Sequence, residues 1–267
     1  MTDLLSYEFM RNALAASILA SILCGVIGPF VVTRKMVFAG GSMSHSAFGG
    51  MGIACWLGLN PLAGALAFTV LAALFLSAAG RRSTEENDLL IGVLWAVGMA
   101  LGIVFIHITP GYVPDLMSFL FGNILLVPRG DLVLAAVLTA VVTVSVIVFF
   151  RGFVSIALDE EFARSRKMPV KGLHTGLLVL VALAIVTLIQ VVGIILVLAL
   201  LTIPVAVARE FTIRFTRLMI LSSVTGILLC IGGLAVSFTM NLPSGAAIIL
   251  LGALLLGAVK AFRFFRK

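Results

Sequence analysis

The chain has 267 residues, of which 62% are apolar and only 11% carry charge, and its mean hydropathy is +1.26. A soluble domain carries about 25% charged residues and about 45–50% apolar ones, so this composition excludes a water-soluble enzyme or a soluble nucleic-acid binder. The net charge of +7 has to be read by its location rather than its total. Cys24, Cys55 and Cys230 lie far apart in apolar runs, form no CxxC and say nothing about redox compartment.

A bilayer-spanning helix takes about 20 apolar residues, and a charge within it is costly. The N-terminus begins Met-Thr-Asp without a basic leader, so no cleaved signal peptide is expected. The six long stretches free of Asp, Glu, Lys and Arg are 12–33, 36–80, 89–114, 132–150, 172–208 and 218–259. Stretch 12–33 predicts one span. Stretch 36–80 has room for two, with a break at Asn60-Pro61. Stretches 89–114 and 132–150 predict one span each. Stretch 172–208 again has room for two, broken between Gln190 and Gly193, and 218–259 for two more, broken at Asn241-Leu242-Pro243-Ser244-Gly245. The expectation is an all-α polytopic membrane protein of eight or nine spans, nine by direct count, in a single transmembrane domain over 1–267. Segment 116–128 is apolar but too short to cross, which predicts a re-entrant or interfacial piece.

Lys and Arg collect on the cytoplasmic side of a membrane protein. With nine spans and the N-terminus outside, all of the 18 Lys and Arg except Arg11 and Arg129 fall inside. The basic excess is therefore a topology signal, and nucleic acid is not needed to explain it. The C-terminus is expected inside, and segments 152–171 and 204–217 are expected to be cytoplasmic. No GxxxxGK[ST] phosphate loop occurs, so the chain does not bind ATP by that route.

The acids, from Asp3 to Glu210, all lie at or near the interfaces. Ion-coupled carriers place ionisable groups at membrane depth, where each costs at least about 2.5–3.5 kcal/mol and persists for function; their dearth weighs against such a carrier. No paired Asp, Ser/His or HExxH arrangement appears either, so no catalytic residue is assigned. The one titratable side chain inside a predicted span is His45, within Gly40-Gly41-Ser42-Met43-Ser44-His45-Ser46-Ala47-Phe48-Gly49-Gly50. On a helix, Gly41, His45, Phe48, Gly49 and Gly52 share one face, with the imidazole projecting from a smooth groove. One reading is a polar residue that bonds a neighbouring helix at a close-packed contact. The other is a pore-lining metal ligand, preferred because an intramembrane imidazole is a functional candidate by default. Gly41, Ser42, Ser44 and Gly49 are then its pore or second-layer neighbours. His107 reads as interfacial packing and His174 as a solvated or lipid-facing flank. The seventh span ends on Pro204. Beyond it, Val205 to Phe211 with Arg209-Glu210 predicts a short helix on the inner surface with Pro204 in its first turn, either a plain amphipathic loop or a docking element for a cytoplasmic partner.

Four blocks carry a resemblance. Arg34-Lys35-Met36-Val37-Phe38 followed by Ser44-His45-Ser46-Ala47-Phe48-Gly49-Gly50 resembles the "RRM.F.GD.LSHA...G" stretch of the permease family of metal-ion ABC importers, the ZnuB-like and MntB-like subunits. Phe119-Leu120-Phe121-Gly122-Asn123-Ile124-Leu125 resembles "SYLFG.IL". Val191-Val192-Gly193 through Arg209 resembles "VVG.LLV.ALLIIPAATAR", and Asn241-Leu242-Pro243-Ser244-Gly245-Ala246 resembles "DLPSGA".

The resemblance implies an importer permease in a bacterial or archaeal inner membrane. It implies two copies forming a pore on a two-fold axis, cytoplasmic ABC ATPase subunits, an extracytoplasmic metal-binding protein, and no permanently bound cofactor. Pro204, Ala208, Arg209 and Glu210 would lie against the ATPase, as would Asp159, Glu161 and Arg164 in a loop similar to the family's "D.E.AR". In the family's motif an aspartate stands one helical turn before the histidine; here that position is Gly41. Imidazole suits zinc and manganese prefers oxygen, so the transported ion is expected to be zinc-like. A self-sufficient secondary carrier or channel, and a related vitamin or siderophore permease, are the alternatives.

Overall fold

In a computed structural model of the chain, residues 7–79, 84–110, 122 and 124–265 are described, apart from the side chains of Thr84 and Glu85. Among the described residues there are helices and no strands. Nine long helices match the expected spans: α1 (Glu8–Thr33), α2 (Val37–Trp56), α3 (Pro61–Ala79), α4 (Thr84–Ile108), α5 (Arg129–Val148), α8 (Val170–Val192), α9 (Ile194–Arg209), α10 (Phe215–Met240) and α11 (Ser244–Phe265). Two short helices, α6 (Phe150–Leu158) and α7 (Glu160–Ser165), fill the segment expected in the cytoplasm. Seven of the nine are long and apolar enough to cross a membrane. The exceptions have visible reasons: α2 is diluted by glycine and serine, and α9 has only 16 residues. Of the short apolar segment 116–128, only Gly122 and the turn from Ile124 onward lie within the described residues, so its re-entrant reading lies outside them.

The expected breaks fall where backbone chemistry puts them. Asn60 caps α3 by accepting the Leu62 N–H at 2.9 Å, and Pro61 takes the first helical position, where a missing N–H costs nothing. Gly193, at φ 78 and ψ 163, separates α8 from α9 in a conformation only glycine adopts freely. Gly122 lies against the Val192–Gly193 backbone so closely that a side chain there would collide with it. Asn241 closes α10 in the left-handed region, and the Ser237 hydroxyl donates to the Leu242 carbonyl at 2.6 Å.

The short inner-surface helix expected after Pro204 is not what forms. Pro204 lies inside α9, which runs on to Arg209. The proline loses its own rung, but its side chain and those of Val205 and Ala208 are buried, and the Val205–Ala208 turn packs with Leu218 and Val32. That packing keeps the last turn helical despite the missing bond.

The helices group into two compact units. One gathers α1, α5, α9, α10, α11 and the end of α8. Within it α10 packs on α9 and α11. Glycines let α1 approach: Gly25 faces the Ser223 backbone, and Gly28 lies under the Leu201 carbonyl. The Phe30 and Phe215 rings stand 4.6 Å apart. The second unit holds α2, α3, α4, α6, α7 and α8 up to Val186. There α2 lies between α3 and α4. Gly50 meets Gly64 of α3 backbone to backbone, while on its other side α2 sets Gly49 against Gly98 and Gly52 against Gly102. Small residues permit this approach, which compensates in lipid for the absence of a hydrophobic drive between helices.

Candidate metal-transit site and cytoplasmic surface

His45 lies on α2 at the crossing with α4, and its ring stacks on that of Trp95, centroids 4.4 Å apart and planes 19° from parallel. The smooth groove expected around it is therefore filled, by Trp95, Gly98 and Gly102 of α4. A Cβ on Gly49 would sit 2.6 Å from the Gly98 carbonyl oxygen, so Gly49 serves the helix contact. Phe48 is fully buried and touches Gly102.

The polar groups around His45 divide into those with partners and those without. The Ser44 hydroxyl donates to the Gly40 carbonyl of its own helix at 3.0 Å. Ser46 reaches the Leu94 carbonyl of α4 at 3.5 Å, a long contact. Ser42 Oγ and His45 Nδ1, one helical turn apart, are buried with no hydrogen-bond partner. A buried polar atom left unmatched costs about 1–3 kcal/mol. Residues three positions apart share a helix face, so both unmatched atoms belong to the same side of α2. Gly41 is buried and offers no side chain. Among the described residues there is no group of three or more His, Cys, Asp or Glu able to hold a metal. One chain thus supplies one imidazole and small oxygen donors, an open and weak set rather than a closed structural site.

His107 is exposed in the last turn of α4. His174 is not the flank expected of it: its Nδ1 lies 3.1 Å from Arg34 Nη2. That partner stands 140 positions away in the chain, which no local pattern reveals. Trp95 was missed for the same reason, since a lone tryptophan in an apolar span carries no sign of what it covers.

The residues expected to face an ATPase separate into two groups. Asp159 caps α7 by accepting the Phe162 N–H at 2.9 Å. Glu161 and Arg164 are exposed on α7, and Arg164 bonds Glu160 at 3.3 Å. Phe162 is half exposed beneath the Arg166 guanidinium, which lies 5.3 Å from its ring centre. In the second group Pro204 and Ala208 are buried, and Ala208 packs with Val205 and Leu218. Arg209 is exposed, and Glu210 pairs with Arg263 at 3.2 Å.

The profile of the ABC 3 transport family matches residues 6–262. The chain belongs to that family. It is 41% identical over 263 residues to an uncharacterized membrane protein of Synechocystis sp., covering 98% of this chain and 94% of that one. It is 34% identical over 255 residues to the manganese transport system membrane protein MntC of Listeria monocytogenes, covering 96% and 91%. Among solved structures, PsaBC from Streptococcus pneumoniae in complex with Fab aligns with a TM-score of 0.86 and 32% identity, over 96% of this chain and 92% of that one. The resemblance to metal-ion ABC importer permeases thus holds at the level of the family. This ABC 3 family chain is a multi-pass membrane permease subunit and not an enzyme; ATP hydrolysis belongs to a partner chain.

Proposed function

We propose that the chain is the permease of an importer that carries a divalent first-row transition metal into the cytoplasm, the ion passing His45 on its way. The observation that carries the reading is the lone imidazole of α2 with Nδ1 and the neighbouring Ser42 hydroxyl buried and unpartnered. Such groups in a membrane are retained for function. Residues 1–267 act as one permease domain, and two copies bring two His45 side chains to one ion, which answers the shortage of donors in a single chain. An extracytoplasmic binding protein delivers the ion, and ATPase subunits rest on the Asp159–Arg164 turn and on Arg209. The N-terminus lies outside and the C-terminus inside the bacterial or archaeal cytoplasmic membrane, as the distribution of Lys and Arg supports. Nothing is held permanently; the metal is cargo.

Zinc is the favoured ion. Imidazole suits zinc, whereas manganese prefers carboxylate oxygens, and Gly41 supplies none one turn before His45. Manganese is the second reading, favoured by the name of the Listeria relative. Uptake of labelled zinc and labelled manganese, measured in competition on vesicles carrying the whole transporter, separates the two. Zinc should be preferred by the wild type. Gly41→Asp, which puts a carboxylate beside the imidazole, should move the preference toward manganese. A wild type that prefers manganese and is indifferent to Gly41→Asp would sink the zinc reading.

A further inference from the structure

The turn joining α1 to α2 carries a cation that the metal site does not use. Arg34 has a side chain only 15% exposed, and its guanidinium reaches three acceptors on three elements. It donates through Nη1 to the Ile156 carbonyl of α6, and through Nη2 to Glu160 Oε2 of α7 at 3.0 Å. The same Nη2 lies 3.1 Å from His174 Nδ1 of α8. Glu160 is shared in turn, its Oε1 taking Arg164 at 3.3 Å. Behind this cluster α6 is seated on α8: a Cβ on Gly152 would meet Leu173 at 2.9 Å, and Phe153 is buried. The guanidinium spreads its donors over a rigid planar fork, so that Nη1 and Nη2 reach different elements, whereas lysine gathers its three donors on one nitrogen.

We propose that Arg34 is the positioning residue that carries movement of the ATPase-facing turn, Asp159–Arg164, to the metal-bearing helix α2. The proposal rests on the functional reading above. Only Lys35, in the left-handed region at φ 55, and Met36 stand between Arg34 and the start of α2. His45 is eight residues further, about 12 Å along a helix that rises 1.5 Å per residue. A charge-assisted bond to a largely buried guanidinium is strong, and leaving it unmade strands a buried charge. A shift of α7 therefore either breaks this set of bonds or takes the foot of α2 with it. The second course costs less, because α2 begins at a short turn rather than in a packed helix interior.

The test uses the complete transporter, this chain with its ATPase and binding protein, in lipid vesicles, and reads metal imported per ATP hydrolysed. Arg34→Ala should still co-purify with the ATPase and hydrolyse ATP, yet import at least about tenfold less metal per ATP, as expected when a buried charge-assisted link is cut. Arg34→Lys keeps the charge without the fork and should fall between. Because Arg34 and Glu160 act through one link, Arg34→Ala combined with Glu160→Ala should be no worse than Arg34→Ala alone. Spin labels at the exposed Leu57 and Ser165 supply a readout that needs no metal. ATP should change their separation in the wild type and leave it fixed in Arg34→Ala.

The proposal is overturned by an unchanged import ratio in Arg34→Ala, by losses that multiply in the double variant, by an ATP-driven shift that persists without Arg34, or by loss of ATPase co-purification. Should Arg34→Ala fail to insert, Arg34→Lys decides by the same ratio and the same distances. Failure of the functional reading looks different: the wild type imports neither zinc nor manganese, while the ATP-driven shift still depends on Arg34.

Discussion

Replacing Gly49 by alanine isolates the packing on which the His45 environment depends. The added Cβ would lie 2.6 Å from the Gly98 carbonyl oxygen and 3.3 Å from its Cα, both of them backbone that cannot swing away. Restoring ordinary contact at about 3.5 Å requires α2 and α4 to part by roughly 1 Å, and a radial gap of that size forfeits a quarter to a half of each dispersion contact along the seam. Overpacking of this kind costs about 1–3 kcal/mol. Helix propensity acts in the opposite direction, since alanine is favoured over glycine by up to about 1 kcal/mol. Gly92 supplies the control: it lies on α4, and nothing stands within 4 Å of where its Cβ would be. Gly92→Ala receives the propensity gain alone, so the difference between the two variants reports the packing cost. Unfolding of the full chain in mixed micelles, titrated with a denaturing detergent and followed by circular dichroism, should place Gly49→Ala about 1–3 kcal/mol below Gly92→Ala. Equal stability for the two variants would refute the close α2–α4 approach.

The remaining expectations concern the site and the α7 turn. Trp95→Leu keeps an apolar residue on α4 but removes the ring against His45; a stacked aromatic pair is worth about 0.5–1.5 kcal/mol, so half-saturation of uptake should rise about two- to tenfold, and an unchanged value would mean that the stack does not orient the imidazole. Metal binding should also alter the emission of Trp95 in a Trp56→Phe background, and the change should vanish with His45→Ala. Asp159→Ala removes the cap of α7, worth about 1 kcal/mol; the chain should reach the membrane at normal levels but retain less ATPase in pull-downs, and full retention would remove that turn from the docking surface.

Much of the architecture was legible because breaks between apolar helices have local chemistry. Asn60-Pro61 is a cap followed by a first-turn proline, Gly193 takes a conformation open to glycine, and Asn241 terminates α10 in the left-handed region. Each signal sits within a few residues of its consequence. Pro204 misled for a physical reason: proline favours a helix start, but α9 runs through it because its last turn is buried. What could not be read is long-range. His45 is identifiable as an imidazole among small residues, yet Trp95 lies fifty positions on and has no pattern that ties it to α2. His174 looked like a flank because Arg34, its partner, is 140 residues earlier. The small residues beside His45 announce that another helix can come close, but not which one: Gly50 admits the backbone of α3, and Gly49 and Gly52 that of α4.

The central claim is that metal passes His45, and the direct measurement is labelled zinc uptake by the complete transporter with His45→Ala beside the wild type, at matched membrane levels and with ATPase activity confirmed in both. Loss of a ligand should lower uptake at least about tenfold, since even residues that merely orient metal ligands cost 10–100-fold when changed, while ATPase docking persists. Uptake equal to the wild type would contradict the claim and leave His45 as a packing residue stacked on Trp95.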